Sequence, residues 1–86
     1  MMPRKEDFWK ELDAILLEAR RLGISIAGVK AGDLHRRVGA YPGADHRMPV
    51  CCAVMRAAMR EDDEILEAPP KGNGASLLVL YRISGR

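Results

Sequence analysis

The side chains with the richest chemistry lie in the middle of this chain. Cys51 and Cys52 are adjacent, with His46 five positions and His35 sixteen positions before Cys51. Imidazole nitrogens and thiolates are zinc ligands, so His35, His46, Cys51 and Cys52 form a candidate metal set. Against it, the chain has no Cys-x-x-Cys, and adjacent cysteines rarely aim both sulfurs at one ion. A cysteine such as Cys51 is more commonly a small core hydrophobe. A thiol near a helix N-terminus is acidified. His46 as base, with Asp45 orienting it, would complete a nucleophilic site. No oxyanion-stabilising pattern accompanies that trio. The expectation is a protein that is not an enzyme and holds no cofactor, with a zinc or thiol sensor as the third-ranked reading.

The cations make the stronger pattern. Arginine takes the guanine O6/N7 pair, or a phosphate, through its planar fork. Arg47, Arg56 and Arg60 are the first candidates, and Arg56 and Arg60 stand four apart, in step with Cys52. Arg36 and Arg37 close a short helical segment, where one would meet a phosphate and the other the helix C-terminus. Lys71-Gly72-Asn73-Gly74 joins one cation to glycines that let backbone N–H groups approach an anion. It lacks the Gly-x-x-x-x-Gly-Lys-Ser/Thr spacing of a nucleotide-binding loop, and it reads equally as a plain hairpin tip. The candidate nucleic-acid contacts are thus Arg36, Arg37, Arg47, Arg56, Arg60 and Lys71. The bland alternative is a solvated face, with Arg56 and Arg60 paired to Glu61, Asp62 or Glu64 in exposed bridges worth under ~1 kcal/mol. Tyr41, beside Pro42, either stacks on a base or pins its loop to the core, and pinning is the commoner role.

Charge is segregated along the chain although the net is only +2. Residues 20–60 hold eight bases and two acids, residues 61–67 hold five acids and no base, and residues 68–86 hold three bases. A basic middle and a basic tail brought together would attract a phosphate polymer by counterion release. The acidic run directly after the arginines is the strongest argument for a protein partner instead. With 86 residues, 48% of them hydrophobic and 30% charged, the chain reads as one globular domain spanning 1–86. The absence of an apolar run of ~18 residues excludes a membrane span. No apolar stretch follows Lys5, so no signal peptide is expected, and two adjacent cysteines fit a reducing cytoplasm.

The elements that must position these residues are legible. Phe8, Leu12, Ile15, Leu16, Ala19 and Leu22 repeat at helical spacing, which predicts a helix over 4–22 ended by Gly23. Ile24–Lys30 is a short, partly alternating strand. Residues 31–38 form a two-turn helix with Leu34 and Val38 inward. Pro42-Gly43 marks a loop. Pro49 suits the first turn of a third helix, expected over 48–60, with Val50, Cys51, Val54, Met55 and Ala58 on its apolar face. Strands follow at 64–68 and 76–83, joined by a glycine-rich tip.

The order of helix, strand, helix, helix and hairpin resembles the winged helix-turn-helix superfamily over nearly the whole chain. That resemblance implies an α+β fold of three helices and a C-terminal β-hairpin, the wing, with the short first strand added to the same sheet. It implies a third helix that enters the major groove of duplex DNA and a wing tip at Lys71–Gly74 that touches the backbone. The connection from Gly39 to Met48, about ten residues, is longer than the usual three- or four-residue turn. The run from Asp33 through Gly39, Tyr41-Pro42-Gly43 and His46–Cys52 is also similar to a small bacterial family, a likeness that brings no activity with it. The leading expectation is a nucleic-acid-binding homodimer, with DNA favoured over RNA, and the alternative is a protein-interaction module on the same fold.

Overall fold

A computed structural model of the chain describes residues 2–39, 41–43 and 47–86. Its elements are α1 (Lys5–Arg21), β1 (Ile26–Lys30), α2 (Ala31–Val38), α3 (Met48–Ala57), β2 (Glu64–Glu67) and β3 (Leu78–Arg82). They form a small α+β fold of three helices and a three-stranded antiparallel sheet in the order β1-β3-β2.

Each helix is bounded by the chemistry its sequence offers. The Asp7 carboxylate accepts the Arg4 N–H at 2.7 Å, so α1 begins on a reciprocal cap. The Leu22, Gly23 and Ile24 N–H groups return to the carbonyls of Glu18, Arg20 and Ala19 and close its end. Gly39 terminates α2 at φ 119°, a conformation that residues with a Cβ rarely adopt. Pro49 sits in the first turn of α3, where a missing N–H leaves nothing unsatisfied.

The inner face of the sheet packs on all three helices. Leu77, Val79, Tyr81 and Ile83 alternate inward and are buried, while Leu78 and Leu80 between them are half-exposed. They meet Phe8, Leu12 and Leu16 of α1, Leu34 of α2 and Cys51, Val54 and Met55 of α3 in one core. Trp9 and Met59 lie partly buried against that core. The Tyr81 hydroxyl donates to the Met55 carbonyl at 2.7 Å, joining the central strand to α3.

Most boundaries fall one to three residues inside the sequence expectation, β3 for example beginning at Leu78 instead of Ser76, and two of them have a plain local reason. α3 stops at Ala57 instead of continuing to Arg60, because the chain turns there to reach β2. Arg60 therefore lies outside the helix, and its four-residue spacing from Arg56 places no shared face. Cys52, expected on that stripe, is wholly buried. The first strand begins at Ile26 instead of Ile24, since the Ile24 N–H is used to cap α1.

Candidate nucleic-acid interface

The β2–β3 connection folds back onto the helices. The Gly32 N–H donates to the Ala75 carbonyl at 3.0 Å, and the Ala31 N–H donates to the Leu77 carbonyl at 2.8 Å. The approach is close at Gly32, where an added Cβ would lie 3.1 Å from the Ala75 Cβ and the loop would have to give by a few tenths of an ångström. Cys52 holds the same loop from below, its Sγ lying 3.4 Å from both the Gly74 N and O. Arg56 completes the attachment by donating to the Gly72 carbonyl and, at 2.9 Å, to the Asn73 Oδ1. Residues 72–74 are thus held on α3 and residues 75–77 on the start of α2, so the glycine-rich loop packs on the helices.

This packing gathers cations from separate segments. Lys30 and Arg36, from the two ends of α2, line one groove with Tyr41, Ala75 and Ser76. The Arg36 guanidinium lies 5.4 Å from the centroid of the Tyr41 ring and 3.2 Å from the Asp33 carboxylate. Lys71 is exposed on the loop that Arg56 anchors and has no ion pair or hydrogen bond among the described residues. Asp33 is the one carboxylate contributed to this region by the described parts of α2, α3 and the loop. Lys30 was not singled out from sequence, where it is merely the end of a strand.

The remaining candidates point elsewhere or serve the fold. Arg37 pairs with Glu11 of α1 at 2.7 Å. Arg47 precedes α3, and its guanidinium reaches the Pro3 carbonyl at 3.5 Å. Arg60 donates to the Gly85 carbonyl at 2.8 Å, beside the C-terminal turn. Neither Arg56 nor Arg60 pairs with Glu61, Asp62 or Glu64 among the described residues.

His35 and the cysteines occupy the core. His35 is buried between Phe8 and Tyr41, at ring-centroid distances of 4.9 and 5.3 Å. Its Nε2 accepts the Arg47 backbone N–H at 2.8 Å, and its Nδ1 lies 3.0 Å from the Gly39 carbonyl. An N–H can only donate and a carbonyl only accept, so the ring is neutral with its proton on Nδ1. Both nitrogens are thereby committed to bracing the α2–α3 connection. The Cys51 thiol donates to the Ala31 carbonyl at 3.5 Å, and burial, with the neighbouring Cys52 thiol adding to it, pushes its pKa up to about 12. It is therefore a thiol at neutral pH, without the thiolate that a nucleophile needs. No group of three or more His, Cys, Asp or Glu side chains is arranged to hold a metal among the described residues. His46 and Asp45, the other members of the metal and nucleophile readings, lie outside the described residues.

Asp63 was missed by sequence reasoning, which left it within an acidic run. Its carboxylate is fully buried and accepts the N–H groups of Arg60 and Arg82, each at 2.7 Å, and the Arg86 guanidinium at 2.9 Å. Arg86 also donates to the carbonyls of Ala58 and Arg82 and stacks over Tyr81. Burial pushes the Asp63 carboxyl upward, but these donors outweigh it and hold it below the usual aspartate value. No helix among the described residues is long and apolar enough to cross a membrane. Comparison of the chain with protein-family models, curated proteins and solved structures finds no match in any of the three.

Proposed function

We propose that this chain is a winged-helix module that binds nucleic acid, duplex DNA in the first instance, through phosphate contacts more than through base readout. The observation that carries this reading is the gathering of Lys30 and Arg36 around one groove, with Lys71 on the same stapled loop, against the single carboxylate of Asp33. Topology supports the fold assignment. The element order, and a first strand that joins the sheet of the two C-terminal strands, accord with what the winged-helix resemblance implies. Arg36, seated on Tyr41, is oriented before any ligand arrives, which lowers the ordering cost of a phosphate contact. Arg47, at the start of α3, reaches back to the Pro3 carbonyl and is not counted among the phosphate contacts. Arg56 acts as a positioning residue that sets the loop carrying Lys71, and Arg37 and Arg60 stay with their intramolecular partners. Homodimer formation and a cytoplasmic location remain expectations from sequence alone.

A second reading is favoured by one observation. The outward face of α3 consists of Pro49, Ala53 and Ala57, with Val50 at its margin. Such a face has no hydrogen-bonding side chain with which to read a base edge. It suits a protein surface, and the module would then bind a protein through the helix that winged helices commonly place in DNA.

One experiment separates the two. Fluorescence anisotropy with a labelled mixed-sequence duplex is measured at ~50 and ~200 mM salt, where three phosphate contacts give a log–log slope of about −2.7 and a roughly 40-fold loss of affinity. The Lys71→Ala and Ala53→Glu variants are measured alongside. Phosphate-led binding predicts a slope shallower by about one for Lys71→Ala. Absence of binding at the lower salt, with Ala53→Glu as well folded as the parent, refutes the nucleic-acid reading and leaves the α3 face as a protein surface.

A further inference from the structure

We infer that the outer edge of β2 accepts an extended, basic and aliphatic segment of a partner protein as a fourth strand of the sheet. β2 is the last strand in the order β1-β3-β2, and all four of its residues are exposed. Its outer backbone groups make no bond to another element among the described residues. Such a row of free N–H and C=O groups is a template for strand addition. Two large apolar side chains accompany it, with Ile65 exposed to 39% and Leu66 to 61%.

Charge decides the occupant. The carboxylates of Glu6, Glu11, Glu18, Asp33 and Asp63 are each engaged by an arginine, and that of Asp7 by the Arg4 N–H. Glu61, Asp62, Glu64 and Glu67 are not engaged among the described residues and all lie on β2 or in the turn that enters it, whereas the other unengaged carboxylate, Asp13 on α1, stands alone. Arg82, in the cleft with Asp62 and Glu64, and Arg60, whose guanidinium is held on the Gly85 carbonyl, are the exposed cations beside these four carboxylates, so the edge keeps an excess of negative charge. A second copy of the chain is the wrong occupant. Antiparallel self-pairing of residues 64–67 would set Glu64 against Glu67 twice, and like charges directly opposite are destabilising. The bulge between Ile65 and Glu67 further disfavours regular self-pairing. A segment that alternates lysine or arginine with valine or isoleucine meets the carboxylates and the exposed Ile65 and Leu66 together. This surface is distinct from the proposed phosphate-binding groove, so either can fail without the other.

The test is a titration of the ¹⁵N-labelled full chain with an end-blocked peptide of alternating lysine and valine. A peptide of the same charge, with proline at alternate positions, is the control, since proline lacks the N–H that strand addition needs. The expected result is shifts and slowed hydrogen exchange centred on residues 64–67 with the first peptide and none with the second. The Glu64→Lys/Glu67→Lys variant is expected to bind at least about tenfold more weakly. The Leu66→Ser variant, which keeps every charge, also weakens binding and covers the case in which the charge-reversed variant fails to fold. Absence of binding, equal binding of the proline peptide, or shifts away from β2 overturns the inference. Concentration-dependent shifts at β2 without peptide also overturn it, by making a second copy the occupant.

Discussion

Replacing Asp63 by alanine tests the tertiary reasoning most severely. The substitution removes the acceptor of two backbone N–H groups and the carboxylate partner of a guanidinium that is itself only 10% exposed. Breaking one side of a buried, hydrogen-bonded pair costs about 3–5 kcal/mol. A chain of this length has a total stability of roughly 4–13 kcal/mol at typical values per residue. The variant is therefore expected to lose a large fraction of its stability, with a fall in Tm of more than ~12 °C. Urea unfolding followed by circular dichroism measures the loss, and pH resolves its origin. The folded carboxyl titrates below its ordinary value, so its contribution is complete above the unfolded value near ~3.9 and disappears as pH falls through the folded one. The stability gap between the parent and Asp63→Asn should be constant from about pH 5 to 7 and close in acid. A loss of less than ~1 kcal/mol in Asp63→Ala, or a gap that is unchanged in acid, would show that the buried clip contributes nothing beyond a surface bridge.

Other buried groups give further expected outcomes. Native Cys51 should resist alkylation at neutral pH and react only on unfolding, because its thiol ionises at about 12, and prompt labelling of Cys51 in the folded chain would contradict its burial. Tyr81→Phe leaves the Met55 carbonyl without its donor and should cost about 1–3 kcal/mol in denaturant unfolding. Because burial raises the Tyr81 pKa, the parent's stability is full below the unfolded tyrosine value near ~10 and falls as pH rises past it, a decline that Tyr81→Phe should reduce. Long-range ¹H–¹⁵N NMR should find the His35 proton on Nδ1, and a proton on Nε2 would contradict the Arg47 N–H bond.

Much of the fold was legible because its signals are local. Helical spacing of Phe8, Leu12, Leu16 and Ala19, Pro49 in a first turn and the alternation from Leu77 to Ile83 each depend on near neighbours, and each element forms where those patterns lie. The end of α3 was not legible, since Ala58, Met59 and Arg60 have no helix-breaking residue and the turn is fixed by Asp63 and Arg86, whose positions depend on the sheet. The arginines illustrate the same division within the candidate site. Side-chain type announced that Arg36, Arg47 and Arg56 could meet phosphate, but whether a guanidinium faces solvent depends on acceptors supplied from afar. Gly72 and Asn73, sixteen and seventeen residues away, take Arg56.

Composition and periodicity by themselves determined an α+β chain with a basic middle, an acidic run and two cysteines better suited to a core than to a disulfide. Those properties follow from residue type and from spacings of two to four residues, which the sequence states directly. Tertiary structure alone decided that His35 is a neutral brace, that Asp63 is a buried acceptor, that the glycine-rich loop lies against α3 and that β2 presents an open acidic edge. Each of these requires groups twelve or more residues apart to meet at hydrogen-bond distance, or a strand to have its place in the sheet. Only the packed core sets those separations.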